Sequence, residues 1–196
     1  MNNICENLNK KSVIHCFEPN HNLCLKLTNN LNFKNKFINM VGLGAKTEKS
    51  IFFIHEKDTK SSFLKVHKNY FLNNKKYKIF KSFSKIDTLD NYVKKNKLKE
   101  IDFLKIDTQG FNEEVIKGSK NSLKKNIIKI IYTEITLGEK YAKSENFINF
   151  EKYLIKNNYK LFGIDVGNNF VQVPSIRYSK EFNIDVFYIS SSIILN

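Results

Sequence analysis

The chain has 196 residues, 41% of them hydrophobic and 13% aromatic, enough for one domain with a real core. No run approaches the ~20 apolar residues of a membrane helix, and the start Met1-Asn2-Asn3-Ile4-Cys5-Glu6 lacks a signal peptide's apolar stretch, so a cytoplasmic protein is expected. The net charge of +14 raises nucleic acid as a partner, but of 33 basic residues only Arg177 is an arginine. Base readers and phosphate clamps favour the arginine fork. The dispersed lysines read first as solvated surface, and only then as a face for an anionic substrate or membrane surface.

In chain order, residues 13–17 are a short apolar run with β character. Residues 20–31 carry Leu23, Cys24, Leu27 and Leu31 at helical spacing, with Pro19 near the first turn. A strand is expected over 37–41, stopped by Gly42-Leu43-Gly44. That triplet reads as a turn, because the third glycine of G-x-G-x-x-G is absent and the next stretch is charged. Residues 51–54 suggest another strand, and 61–74 an irregular loop. Thr88 is a good N-cap, with Leu89, Tyr92 and Val93 as an apolar stripe behind it. Asp87 and Asp90 suit the start of that helix better than they suit chemistry. The strand 101–106 runs into Asp107 and a turn at Gly110, then helical turns. Residues 127–133 are nearly all apolar, as a buried parallel strand should be. Phe147, Phe150, Glu151, Leu154 and Ile155 mark a helix. Strands follow over 161–164, 170–173 and 184–189, with a hairpin turn at Gly167-Asn168.

This alternation implies an α/β fold: a three-layer, Rossmann-like, mostly parallel sheet closed by a C-terminal antiparallel hairpin. One domain should span 1–196. The runs 13–17, 37–41, 101–106 and 127–133 are expected in one sheet, with 184–189 antiparallel to it.

Three of these strands end in acids, Glu18, Asp107 and Glu134. Ligands of such sheets bind at the carboxyl ends of the strands, so the three are expected at one edge around a common cleft. A carboxylate at Glu18 can accept two hydrogen bonds at once and suits ribose hydroxyls; its plainer reading is a favourable charge at a helix start. Asp107 can serve as base or orienter, or as a cap for the turns after Gly110. Gln109 can hydrogen-bond from the same loop, and Gly110 suits an unusual backbone angle. Glu134 can face Asp107, since paired carboxylates bind metals or shift each other's pKa; a salt bridge to a lysine is the alternative. Cys5, Cys16 and Cys24 are odd in number without C-x-x-C spacing, and the four histidines have no ligand spacing. No disulfide and no metal site is expected.

The stretch Phe103-Leu104-Lys105-Ile106-Asp107-Thr108-Gln109-Gly110-Phe111-Asn112-Glu113-Glu114-Val115-Ile116-Lys117-Gly118-Ser119 resembles the core signature of the FkbM-type methyltransferase family. Four further pieces are similar to that family in the same order: His15-Cys16-Phe17-Glu18-Pro19-Asn20, Ser61-Ser62, Ile86-Asp87-Thr88-Leu89-Asp90 and Ile131-Tyr132-Thr133-Glu134-Ile135. The resemblance implies S-adenosylmethionine as cofactor, held near Glu18, Asn20, Gly42 and Ser62, with Asp107, Gln109 and Glu134 at the chemistry. It implies methylation of an oxygen on a sugar or other small polar substrate. The departure is at the front. The family's first strand, with an Asp-x-Gly-x-x-x-Gly loop, should precede Ser12, yet residues 1–11 hold no glycine. The domain is therefore expected to be N-terminally incomplete and to bind the cofactor poorly. The competing reading is an inactive or truncated binding or partner protein of the same fold, and the third is a nucleic-acid-binding protein.

Overall fold

Val13–Phe17 (β1) and Asn35–Asn39 (β2) pair in parallel, from Val13 beside Asn35 to Phe17 beside Asn39. This comes from a computed structural model that describes residues 8, 9, 11–56, 60–66, 78–137, 147–165 and 182–193. Between β1 and β2 lies the helix α1, His21–Asn30. Asn20 caps it by accepting the Asn22 N–H at 3.0 Å, a bond that satisfies one of the open donors of a first turn. At the far end Lys36 Nζ donates to the carbonyls of Thr28 and Leu31 at 2.6 and 2.7 Å, where a cation offsets the negative end of the helix. No side chain of β1 or β2 is fully buried.

Gly42–Leu43 (β3), Glu48–His55 (β4) and Ile79–Asp87 (β5) form a second sheet in the order β3-β5-β4, with β3 parallel and β4 antiparallel to β5. The glycine triplet expected as a turn thus contributes a two-residue strand, and a Cβ at Gly42 would overlap the Phe63 ring. β5 was not foreseen. Its inward side mixes Ser84 with Ile86, and its exposed side mixes Lys81 and Lys85 with Phe83, so neither face shows a clean two-residue period.

Leu89–Asn96 (α2) is capped by Thr88, whose hydroxyl accepts the Asn91 N–H at 3.1 Å. There follow Ile101–Ile106 (β6), Asn112–Lys117 (α3), Lys120–Lys124 (α4), Ile128–Leu137 (β7), Phe147–Lys156 (α5), Tyr159–Asp165 (β8) and Phe182–Ser190 (β9). The third sheet has the order β6-β7-β9-β8, with β6 parallel to β7 and β9 antiparallel to both its neighbours. Ile116, Leu123, Ile128, Ile131, Ile135, Phe150, Leu154, Val186 and Tyr188 are all at 0% exposure, so the core lies between this sheet and α3, α4 and α5.

The expected single, mostly parallel sheet is corrected in two ways. Among the described residues no ladder joins β1 and β2 to the four-stranded sheet, and the sheets are mixed. Parallel pairing holds for β1–β2, β3–β5 and β6–β7, antiparallel for the rest. β9 inserts between β7 and β8 and opposes both, and β4 and β5 also run antiparallel. The antiparallel pairing of residues 184–189 was foreseen. The second strand begins two residues earlier than expected, because Phe17 aligns with Asn39. The expected strand 170–173 and the turn at Gly167-Asn168 lie outside the described residues. Among the described residues no helix is long and apolar enough to cross a membrane.

Candidate active site

The loop after β6 is bent by two consecutive residues with positive φ, Gln109 at 53° and Gly110 at 88°. Gly110 adopts this freely. Gln109 does not, and such a residue persists only where its surroundings hold it. Ser62, itself buried, donates its hydroxyl to the Gln109 carbonyl at 2.9 Å and lies 3.3 Å from that of Thr108. Asn112, 1% exposed, accepts from the N–H and hydroxyl of Thr108 and donates through Nδ2 to the Glu134 carbonyl at 2.7 Å. One buried amide therefore ties the loop after β6 to β7.

The bend aims the Gln109 side chain back over the end of β6 and toward β7; Glu134, expected at a strand end, lies inside β7, whose pairing with β9 carries it on to Leu137. Its Nε2 lies 3.1 Å from Asp107 Oδ1 and 3.4 Å from Glu134 Oε1. Lys105 Nζ pairs with Asp107 Oδ2 at 3.2 Å. Asp107, Gln109 and Glu134 are thus brought together by an amide bridging two carboxylates.

Glu18 forms a second station, just past the end of β1. Its Oε1 accepts the Asn20 N–H at 2.7 Å, and its carbonyl accepts from Cys24 Sγ at 3.0 Å. Burial, and then the Glu18 charge, push the Cys24 thiol pKa up. Asn20 is buried, with its side-chain oxygen engaged as the cap of α1. The second sheet reaches both stations: Ser84 Oγ donates to the Pro19 carbonyl at 3.3 Å, and Ser62, outside its strands but bridged to Phe53 of β4, holds the Gln109 loop. Gly42 sits inside that sheet against Phe63.

The methyltransferase FkbM domain matches residues 3–161 of the chain. The chain belongs to the FkbM methyltransferase family. It is similar in fold to the crystal structure of methyltransferase FkbM from Methylobacillus flagellatus KT, with a TM-score of 0.51 and 12% sequence identity. The likeness covers 90% of this chain and 36% of that one, so the chain spans about a third of that protein's length. No curated protein matches the chain in sequence.

Three features of the site escape sequence reasoning. Asn112 carries no signal of its own beyond an amide two residues past the turn glycine Gly110. Asp185 pairs directly with Glu134, and Asp165 with Asp185, so the acids form a row across the sheet from Asp107. That row depends on strand order, which sequence does not show. Tyr132 lies beside it and bonds Asp185. Burial first, then this bond, then the charges of Asp185, Asp107 and Glu134, raise the Tyr132 pKa far above the ordinary tyrosine value, so its hydroxyl keeps its proton. Among the described residues no group of three or more acids, histidines or cysteines is arranged to hold a metal.

Asp87 and Asp90 have structural work. Asp87 Oδ1 accepts from Thr47, Thr88 and Asn91. Burial alone would raise its pKa, but these bonds outweigh it and the carboxyl is held below its ordinary value. Asp90 caps a different helix from its own, accepting from the N–H groups of Asn121 and Ser122 at 2.7 and 2.8 Å at the start of α4.

Proposed function

We propose that the chain carries the S-adenosylmethionine-dependent transfer of a methyl group to an oxygen of a sugar or other small polar substrate. The observation that carries this reading is the Gln109 amide held between Asp107 and Glu134 just past the end of β6. The residues present fit the cofactor's chemistry. Glu18 is a half-buried carboxylate with one oxygen already fixed by the Asn20 N–H; a pre-ordered acceptor suits the two ribose hydroxyls. The acids Asp107 and Glu134 give a negative surround suited to a sulfonium. The bound cofactor would supply an electrophilic methyl group. Asp107 and Glu134 would accept the acceptor's hydroxyl proton in a hydrogen bond, and Gln109 would fix the distance between the two carboxylates. Attack of the acceptor oxygen on the sulfonium-bound methyl carbon, with the thioether leaving as the carbon–sulfur bond breaks, would need alignment above all, and Ser62 and Asn112 hold the loop that would set it.

Calorimetry tests the cofactor site. Glu18→Ala should weaken S-adenosylmethionine binding roughly tenfold or more, as the loss of a charge-assisted hydrogen bond of about 1.5–3 kcal/mol implies. Micromolar binding by the chain itself, unchanged in Glu18→Ala, would remove Glu18 from the cofactor site.

A further inference from the structure

We infer that the outer face of the β4–β5 hairpin is a docking surface for an anionic lipid membrane. Two rows of three residues face outward in direct register: Lys49 opposite Lys85, Ile51 opposite Phe83, and Phe53 opposite Lys81. The inward positions between them, Phe52, Ser84 and Ile86, are buried. Phe83 is 78% exposed and Ile51 36%.

Two features of this face cost the isolated protein stability. A phenyl ring exposed in mid-strand forgoes the burial that an aromatic side chain ordinarily gains. Like charges directly opposite on one face of an antiparallel pair repel, as Lys49 and Lys85 do here. The six facing positions contain no acid. The nearest acid along β4, Glu48, pairs with Lys46 at 3.1 Å.

An anionic bilayer relieves both costs together. Its interface accepts the phenyl and isoleucine side chains, and its headgroups neutralise the three ammonium groups around them. The arrangement fits a membrane better than other occupants. A second copy placed face to face would set lysines against lysines. Single-stranded nucleic acid binds through stacking platforms and prefers the arginine plane, whereas of the two rings here only Phe83 is well exposed, Phe53 being half-buried, and every cation is a lysine. The face offers no side-chain donor or acceptor besides ammonium, so it lacks the directional bonds of a specific protein interface. The sheet also reaches both stations of the candidate site, through Ser84 and through Ser62 bridged to Phe53 of β4. Docking there would bring the site near the membrane surface, although the inference does not depend on the methyltransferase reading.

Vesicle flotation of the whole chain provides the test. Vesicles of phosphatidylcholine with about 30% phosphatidylglycerol are compared with phosphatidylcholine alone at ~0.1 M salt, where surface attraction is still felt. The chain should float with the anionic vesicles and not with the neutral ones. Each of Lys49→Gln, Lys81→Gln and Lys85→Gln should weaken partitioning about fivefold, and Phe83→Ser by a similar factor or more. Because the chain is basic throughout, Lys124→Gln/Lys152→Gln/Lys156→Gln serves as a charge-matched control away from the face. That variant should retain most of its binding. The face triple Lys49→Gln/Lys81→Gln/Lys85→Gln should lose nearly all of its binding, and an equal loss in the control triple would show diffuse charge and overturn the inference. So would no flotation at all, or tighter binding to a labelled oligonucleotide that depends on the same four residues. All seven positions substituted on the face or in the control are exposed, and thermal melts matching the parent confirm folding.

Discussion

The two ends of this fold solve the same problem with different means. In the C-terminal half, β6, β7, β9 and β8 pack against three helices, and nine apolar side chains there reach 0% exposure. In the N-terminal half, β1 and β2 have no fully buried side chain. That half is attached by polar and aromatic contacts at its margin. His15 stacks on Phe37 at 4.8 Å and meets the Tyr92 hydroxyl through Nδ1 at 2.7 Å. Phe17 packs edge-on against Tyr92 at 4.7 Å, and Asn39 Nδ2 lies 3.4 Å from the Tyr92 hydroxyl. Burial scales with apolar area, whereas such contacts give a net of about 1 kcal/mol each. The C-terminal half should therefore hold the global stability, and Glu18 should ride on a part of the fold that opens more readily.

The sharpest way to break this comparison is a pair of phenylalanine truncations. Phe150→Ala, in the sealed core between α5 and the sheet, should cost about 3–5 kcal/mol. Phe37→Ala, at a site 51% exposed in β2, should cost about 1 kcal/mol or less. Urea denaturation of both proteins measures the difference. Equal losses would mean that the N-terminal pair is as much a part of the core as β7 and β9.

The next largest effect is expected at the joint between loop and core. Asn112→Ala leaves the Thr108 N–H and the Glu134 carbonyl unpaired in a buried place, at a cost of about 2–4 kcal/mol. Asn112→Asp retains the acceptor for Thr108 but turns an oxygen toward the Glu134 carbonyl, so it should recover only part of the loss. Full recovery would show that the bond to Glu134 contributes little to holding the loop. Asp90→Ala should cost about 1–3 kcal/mol, because it strips the open donors at the start of α4 of their acceptor.

What sequence reveals about the two halves differs in the same sense as their packing. β7 is legible because residues 127–133 are nearly all apolar, the mark of a strand buried on both faces. α2 is legible because Thr88 announces it. Asp107 was readable as a strand end, whereas Glu134, read the same way, lies inside β7; their meeting through Gln109 follows from parallel pairing in register. β5 was not legible: although it is the central strand of its sheet, its wet face mixes lysine with phenylalanine and its inward face serine with isoleucine. Nor could sequence show that Asn20 spends its side chain on a helix cap, that Gly42 makes room for Phe63, or that Asp185 stands beside Glu134. Each depends on which elements become neighbours, and single-chain periodicity carries no record of that.

The smallest expected effect is a pH dependence confined to the N-terminal half. Burial lowers the His15 pKa below its ordinary value of 6.5. The folded state thus holds the neutral ring, while the unfolded chain takes up a proton as pH falls through that value. Stability contributed by neutral His15 is fully present above about pH 6.5 and is lost progressively as pH falls toward the folded value. Asp87, also lowered, acts in a more acidic window, contributing above its unfolded pKa near 4 and losing that contribution below it. Amide exchange separates the two. Between pH 7 and pH 5, protection in β1 and β2 should fall relative to β7 and β9, and His15→Phe, which keeps a ring to stack on Phe37, should flatten that change. A uniform change across both halves, or no change in β1 and β2, would show that His15 does not govern how the first strand is held.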